Sequence, residues 1–192
     1  MVSTTPVDLT TLAGEFEGIE LYHTYKTDDN SNILMTQRFT ADPCAMEYNG
    51  RVYVYTTNDI VEFDKDNNVA DNSFSKITTL NCMSSDDLVN WTDHGTIKAV
   101  GSNGIASWGT NSWAPTACHK TINGKEKFFL YFCNGANGIV VLEGDSPTGP
   151  WIDPLGKPLI SRQTENCQDV VWCFDPAVFV DDDGTGYLYF GG

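Results

Sequence analysis

The sequence is poor in basic residues. Its 192 residues include 26 Asp and Glu but only 11 Lys and Arg, which gives a net charge of −15 at pH 7. Nucleic acids and anionic membrane surfaces are bound through clusters of Lys and Arg that neutralise phosphate charge. Because such a cluster is missing, we expect a neutral or cationic partner, and neither a nucleic acid nor a membrane.

Long apolar stretches are also missing. No run approaches the roughly 18–20 apolar residues that a membrane-spanning helix needs, and no segment has the spacing of an amphipathic helix. The polar start, residues 1–6, lacks the basic and apolar regions of a secretory signal. A signal that had been trimmed away would leave the same start, so a secreted and a cytoplasmic location both stay open.

Histidine is scarce, and its spacing fits no metal site. The six cysteines would allow disulfides in an oxidising compartment. However, Cys44, Cys118 and Cys133 fall in or beside predicted strands, where a free cysteine acts as a small hydrophobe. We therefore favour buried free thiols, and Cys167 and Cys173 are the one pair worth testing as a bridge.

Three similar segments dominate the rest of the sequence. They run from Asp42 to Tyr55, from Ala114 to Phe132 and from Asp175 to Phe190. In each, a proline follows the opening residue, and an aromatic-rich strand follows a turn of the Asn-Gly or Asp-Gly type. Asn-Gly, as at residues 49–50 and 123–124, is a strong signal for a two-residue hairpin. The chain is therefore predicted to repeat one β unit.

Each complete unit contains a hairpin, a third strand, a turn and a fourth strand. The units begin near residues 40, 112 and 173, and four-stranded units that recur in this way are typical of a β-propeller. A β-sandwich is the alternative, but sandwiches do not usually repeat like this. A propeller needs at least about four blades to close, and residues 1–192 supply roughly two and a half. We expect a complementary C-terminal chain or segment to complete the ring.

Asp42 and Asp175 occupy the same place in two units. The innermost strands of a propeller line its central channel, so residues that open these strands should meet at one mouth. A convergent pair of carboxylates in a concave site suits acid and base catalysis on a glycosidic bond. The alternative is that each Asp-Pro only opens a strand, with the carboxylate capping nearby N–H groups. Equivalent positions in two repeats favour the catalytic interpretation.

A set of short motifs is spread along the chain. They are Ala41-Asp42-Pro43, Tyr53-Val54-Tyr55, Asn58-Asp59, Trp113-Ala114-Pro115, Ser146-Pro147-Thr148-Gly149-Pro150-Trp151, and the run from Asp175-Pro176 to Asp183-Gly184. Taken together, these motifs resemble glycoside hydrolase family 43. The resemblance covers about residues 40–192, which would be the N-terminal part of the family's catalytic domain. It implies an all-β, five-bladed β-propeller that hydrolyses xylan, arabinoxylan or arabinan with inversion.

The resemblance also implies roles for the two acids. Asp42 matches the general base, which takes a proton from the attacking water, and Asp175 matches the residue that orients the general acid and tunes its pKa. The general acid of the family is a glutamate in a later blade. None of five glutamates of this chain lies in that motif; they are Glu47, Glu62, Glu126, Glu143 and Glu165. We therefore expect residues 1–192 to be catalytically incomplete.

Several further residues are candidates for the sugar site. Trp113 precedes the second Ala-Pro and would offer a ring to the sugar, although filling a gap between blades is an equal alternative. Trp172 and Phe174 are looser candidates, as is Trp108. Asn58 and Asp59 match a polar pair of the family, with Asp59 shaping the site. Family members often carry calcium in the channel, but no cofactor is required and ligands for a metal stay unknown.

We therefore predict one part of an inverting, exo-acting hydrolase that releases arabinofuranosyl or xylosyl units from hemicellulose. A non-catalytic propeller that binds sugars or proteins is one alternative, since it would keep the aromatics without needing Asp42. A retaining fructan-active enzyme of a related five-bladed family is another. Trp91 and Trp151 are expected to fill space between blades, and the Asp181-Asp182-Asp183-Gly184 run is expected to be a hairpin turn.

Overall fold

The computed structural model describes residues 34–191, which form strands, turns and one short 3-10 helix at Phe74–Lys76. No helix in this range has the length and apolar character needed to cross a bilayer. The strands are β1 (Phe39–Tyr48), β2 (Arg51–Asp59), β3 (Val61–Phe63), β4 (Val69–Asn72), β5 (Thr79–Ser85), β6 (Thr92–Lys98), β7 (Trp113–Ile122), β8 (Lys125–Cys133), β9 (Ile139–Gly144), β10 (Trp151–Ile152), β11 (Ala177–Val180) and β12 (Gly186–Tyr189).

The strands form repeated antiparallel sheets in chain order. The first sheet has the order β1-β2-β5-β6, and the second contains β7 to β10, also side by side in sequence order. Strands β11 and β12 form a hairpin that corresponds to the start of a third sheet. The innermost strands β1, β7 and β11 lie beside one another in that order. This is the arrangement of propeller blades around an axis, in agreement with the predicted repeat.

The Asn-Gly turns adopt the predicted hairpin geometry. Asn49 and Gly50 have φ of 52° and 75°, and Asn123 and Gly124 have φ of 53° and 76°. Two successive positive φ angles define the type I′ turn, which matches the twist of the flanking strands. The third hairpin has a longer turn, closed by a hydrogen bond from the N–H of Gly184 to the carbonyl of Asp181. The acidic run is thus a hairpin turn, as expected.

One segment interpreted as a loop contains a strand. The polar composition of residues 64–73 by itself predicts a surface loop, but β4 lies within them and pairs with β3 to form an inserted hairpin. Its strands are short, and Val69 and Phe63 are 64% and 50% exposed. With these apolar side chains exposed, the residues show no alternation that would mark a strand. The turn is held by Asp64, whose Oδ1 accepts the N–H groups of Asp66 and Asn68.

The hydrophobic core is shared between the first two blades. Strand β8 buries alternate side chains from Phe128 to Phe132, and both its neighbour β9 and strand β5 of the first blade are buried almost throughout. Trp151 is 9% exposed and packs edge-on against Tyr55 of the first blade, with ring centroids 6.4 Å apart. Trp151 therefore fills space between blades, as expected, whereas Trp91 is only half-buried.

All six cysteines lie in the described range, and all are free thiols. Burial raises the pKa of the Cys44 and Cys82 thiols to about 12. A thiol with such a pKa stays protonated at neutral pH and is a poor nucleophile. The preference for buried free thiols is therefore confirmed for Cys82, Cys133, Cys167 and Cys173, while Cys44 and Cys118 are half-buried.

Candidate active site

A cavity of about 490 Å³ opens where the innermost strands begin. Its volume lies within the range of small-molecule sites, about 300–1,000 Å³. It combines three carboxylates with aromatic and small apolar side chains. The lining residues are Ala41, Asp42, Thr57, Asp59, Phe74, Ile77, Trp113, Ala114, Ala136, Trp172, Phe174 and Asp175.

The cavity brings together six of the eight residues that the sequence singled out. Asp42 and Asp175 both line it, although they are far apart in the chain. Both residues are exposed to solvent, as a group that must exchange protons with water requires. Carboxylates provide acceptors for sugar hydroxyls, and aromatic walls suit the C–H faces of a sugar ring. The lining therefore fits a neutral, polyhydroxylated ligand.

The two acids sit at unusual backbone positions. Asp42 and Asp175 have φ of 50° and 49°, and Ala114, at the corresponding place in the second blade, has φ of 44°. A positive φ is uncommon for residues other than glycine, and a residue before proline normally favours extended backbone. Such positions cost about 1–3 kcal/mol each and persist only where their surroundings fix them.

A bulge accompanies this backbone in each complete blade. The β1–β2 register shifts between Ala41 and Cys44, and the β7–β8 register shifts between Trp113 and Thr116. In both cases, the extra residue belongs to the innermost strand. A bulge of this kind re-aims a side chain at the edge of a sheet. The repeated bulge therefore explains how the strand openings come to face the cavity.

Two buried side chains contact the strained positions. Thr57 Oγ1 accepts the N–H of Ala114 at 2.9 Å and donates to Asp42 Oδ2 at 3.2 Å. Cys133 Sγ accepts the N–H of Asp175 at 2.9 Å and lies 3.7 Å from Asp175 Oδ1. Burial raises the pKa of the Cys133 thiol to about 12, and the charges of Asp175 and Asp42 act in the same direction. The thiol therefore keeps its proton beside both acids.

The aromatic side of the cavity is held by specific contacts. The indole N–H of Trp113 donates to the carbonyl of Phe74 at 3.0 Å, which ties its ring to the short 3-10 helix that follows the inserted hairpin. Trp172 and Phe174 pack edge to face with ring centroids 6.2 Å apart. Trp172 is 47% exposed, so a large part of its side chain is accessible beside the two acids.

Two sequence-based candidates lie elsewhere. Asn58 does not line the cavity; its amide donates to Thr79 Oγ1 at 2.8 Å and its carbonyl lies 3.4 Å from the Asn81 amide. Asn58 therefore ties β2 to β5 instead of facing a ligand. Trp108 lies in a different cleft, where its indole N–H donates to Asp153 Oδ2 at 2.7 Å.

The structure adds residues that the sequence did not indicate. Thr57 and Phe74 line the cavity, and Cys133 contacts Asp175. Thr57 lies two residues before Asp59 on the same strand, so period-two alternation would have placed the two on one face. No comparable signal marks Phe74, because its place depends on the inserted hairpin.

The described residues provide no glutamate at the cavity. Four of the glutamates are held by other contacts: Glu47 by the Gly50 N–H, Glu62 by Lys76, Glu126 by His119 and Thr121, and Glu143 by Lys127. Residues 34–191 also contain no group of three or more His, Cys, Asp or Glu side chains suited to a metal. The described residues by themselves therefore do not fit a calcium ion in the channel.

Comparisons with known proteins agree with this site. The sequence profile of Glycosyl hydrolases family 43 matches residues 31–192. The chain belongs to this family. The family resemblance inferred from the motifs is therefore confirmed, and so is the fold class. The chain supplies part of a five-bladed β-propeller, with two complete blades and the first hairpin of a third.

Family 43 members of known activity resemble the chain closely. An arabinoxylan arabinofuranohydrolase from Paenibacillus polymyxa is 53% identical over 173 residues, which cover 87% of this chain and 27% of that protein. One from Bacillus subtilis is 54% identical over 169 residues, with coverage of 85% and 33%. The solved Bacillus subtilis enzyme in complex with cellotetraose superimposes with a TM-score of 0.81 at 54% identity, over 85% of this chain and 35% of that one. The chain thus spans about a third or less of these relatives.

Proposed function

We propose that residues 1–192 form the N-terminal part of an inverting, exo-acting glycoside hydrolase that releases arabinofuranosyl units from arabinoxylan. The observation that carries this proposal is the cavity in which Asp42 and Asp175 stand together among aromatic walls. Relatives more than half identical are arabinoxylan arabinofuranohydrolases. Their names favour arabinofuranosyl over xylosyl units, a choice that the motifs alone left open.

Asp42 is the proposed general base. An inverting glycosidase attacks the anomeric carbon with water in one step, while a carboxylic acid protonates the leaving oxygen on the other side. The two carboxyl groups stand about 6.5–9.5 Å apart to make room for the water. Asp42 takes the proton of that water. Asp175, on the neighbouring part of the cavity, orients the acid.

The proposed general acid is a glutamate of the blades that complete the ring. The hairpin of the third blade supports the presence of such further blades, because it carries exposed aromatic side chains. Phe179, Tyr187 and Tyr189 are 54%, 42% and 64% exposed. A following blade packed against the face of this hairpin would cover such residues, as the first two blades cover one another across their shared core. We call the chain together with these blades the complete polypeptide.

The test is hydrolysis of arabinoxylan by the complete polypeptide. We expect free arabinose without shortening of the xylan backbone, and faster cleavage of nitrophenyl α-L-arabinofuranoside than of nitrophenyl β-D-xyloside. Proton NMR during the first turnovers should show β-L-arabinofuranose, the inverted anomer. Initial release of the α anomer would exclude a single displacement. Binding of arabinoxylan without any release would favour the non-catalytic alternative.

Trp113 is proposed to bind the sugar through its ring. Replacing it by alanine should raise KM for nitrophenyl arabinofuranoside about tenfold, since an aromatic contact is worth about 0.5–1.5 kcal/mol beyond the area it buries and 1.4 kcal/mol is tenfold in affinity. Trp113→Phe, which keeps a ring but loses the bond to Phe74, should fall between wild type and Trp113→Ala. Steady-state kinetics measure the effect. If Trp113→Ala and wild type have equal KM, the ring of Trp113 does not bind the sugar and serves only in packing.

A further inference from the structure

The hydroxyl of Thr57 joins two blades at the cavity. Thr57 lies near the end of β2 and is 2% exposed. Its oxygen accepts the N–H of Ala114 in the second blade and its proton goes to Oδ2 of Asp42 in the first. A single buried group therefore links the carboxylate of one strand opening to the backbone of the next.

The second blade repeats this arrangement with a different side chain. Ala41 pairs with Thr57 at the last position before the bulge, and Trp113 pairs with Cys133 at the same position of the second blade. Cys133 accepts the N–H of the next strand opening, Asp175, as Thr57 accepts that of Ala114. In both complete blades, the second strand (β2 or β8) thus carries near its end an acceptor for the residue with positive φ in the following blade.

The hydrogen bond from Thr57 goes to one of the two carboxylate oxygens of Asp42, Oδ2. The positive φ at Asp42 and Ala114 persists only where neighbouring groups fix it. Without an acceptor, the partly buried N–H of Ala114 would lose its partner and the local backbone would gain other conformations. Asp42 would then lose both the donor on Oδ2 and the neighbouring segment that holds this donor in place.

We propose that Thr57 is a positioning residue for the reaction, and this inference depends on the proposed function. Its hydroxyl holds Oδ2 of Asp42, so that Oδ1 faces the attacking water and takes its proton. The bond to Ala114 restrains the hydroxyl itself, because one lone pair of the oxygen accepts the N–H while its proton points to Asp42. The orientation of the base is thereby coupled to the packing of the next blade.

The test compares Thr57→Val, Thr57→Ser and Thr56→Val in the complete polypeptide. Valine keeps the shape of threonine but removes the hydroxyl, so kcat should fall about 10–100-fold while KM changes less than about threefold, since misplacement by about 1 Å costs up to 10²-fold. Serine keeps the hydroxyl and should restore kcat to within about threefold of wild type. Thr56, also buried, accepts the Asn81 amide at 3.1 Å and does not line the cavity. Thr56→Val should therefore keep kcat.

Several outcomes would overturn the inference. They are a kcat for Thr57→Val within about twofold of wild type, an equal loss for Thr56→Val, or no recovery in Thr57→Ser with an unchanged melting temperature. Asp42→Asn, measured in parallel, separates the two proposals. If Asp42→Asn is inactive while Thr57→Val is not, only the positioning role is wrong. If Asp42→Asn keeps the wild-type rate, or if the wild type releases no arabinose, both fail.

Discussion

Asp42→Asn in the complete polypeptide is expected to lower kcat for arabinose release by about 10²–10⁴-fold, the usual contribution of a general base. Asparagine has nearly the size of aspartate but cannot accept a proton from water. It also tolerates the left-handed backbone, in which asparagine and aspartate are several-fold enriched. Since Asp42 has φ of 50°, this substitution should preserve the strand opening and remove only the base. Initial rates on nitrophenyl arabinofuranoside measure the loss.

Asp66→Asn is the matched control. Asp66 is exposed in the turn of the inserted hairpin and does not line the cavity. Its carboxylate lies 3.9 Å from the Lys65 ammonium, and only its backbone N–H takes part in the bond to Asp64. The same chemical change there should leave kcat at the wild-type value. Melting temperatures of both variants check the fold. Retention of more than about a tenth of wild-type kcat in Asp42→Asn would contradict the role of Asp42 as base.

The sequence predicts the blades because their turns and strands carry local signals. Asn49-Gly50 and Asn123-Gly124 form the expected type I′ turns. Of the aromatic strands that follow them, β8 buries alternate side chains and β2 is buried from Val54 to Thr57. The inserted hairpin is not marked in the sequence because apolar residues such as Phe63 and Val69 are exposed and its residues show no alternation. Local preference predicts an element well where one face is buried, and poorly where tertiary contacts alone hold it.

The site shows a similar division. Asp42 and Asp175 could be found because their Asp-Pro motif recurs at equivalent repeat positions. Asn58 and Asp59 could not both face the cavity, because neighbours on a strand point to opposite sides. Asp59 faces the cavity with Thr57, and Asn58 points toward β5. A stricter use of strand alternation would have predicted Thr57 in place of Asn58.

Other parts of the site could not be predicted from local pattern. The positive φ at Ala114 runs against the usual preference of a residue before proline. The equivalence of Thr57 and Cys133 is hidden because the hairpins differ in length: Thr57 lies 57 − 50 = 7 residues after Gly50, and Cys133 lies 133 − 124 = 9 residues after Gly124. The difference of two keeps both on the same face, but only the strand register reveals it.

Trp151→Ala is expected to cause the largest loss of stability, about 3–5 kcal/mol in the free energy of unfolding. Trp151 begins the outermost strand of the second blade and packs into the core shared with the first. Tyr55, against which it lies, is fully buried and donates its hydroxyl to the carbonyl of Pro147, in the turn before Trp151. Removing the indole leaves a cavity between two blades, and rigid β-strands can collapse only partly to fill it.

Denaturant unfolding of the complete polypeptide measures this loss, with Ile152→Ala as the matched control. Ile152 is the next residue of the same strand, is 57% exposed, and should change stability by no more than about 0.5 kcal/mol. Trp151 does not line the cavity, so the folded fraction of Trp151→Ala should keep the wild-type kcat. Similar midpoints for the two variants would mean that the contact between Trp151 and Tyr55 contributes little to holding the blades together. A loss of kcat at an unchanged midpoint would instead place Trp151 in the function of the site.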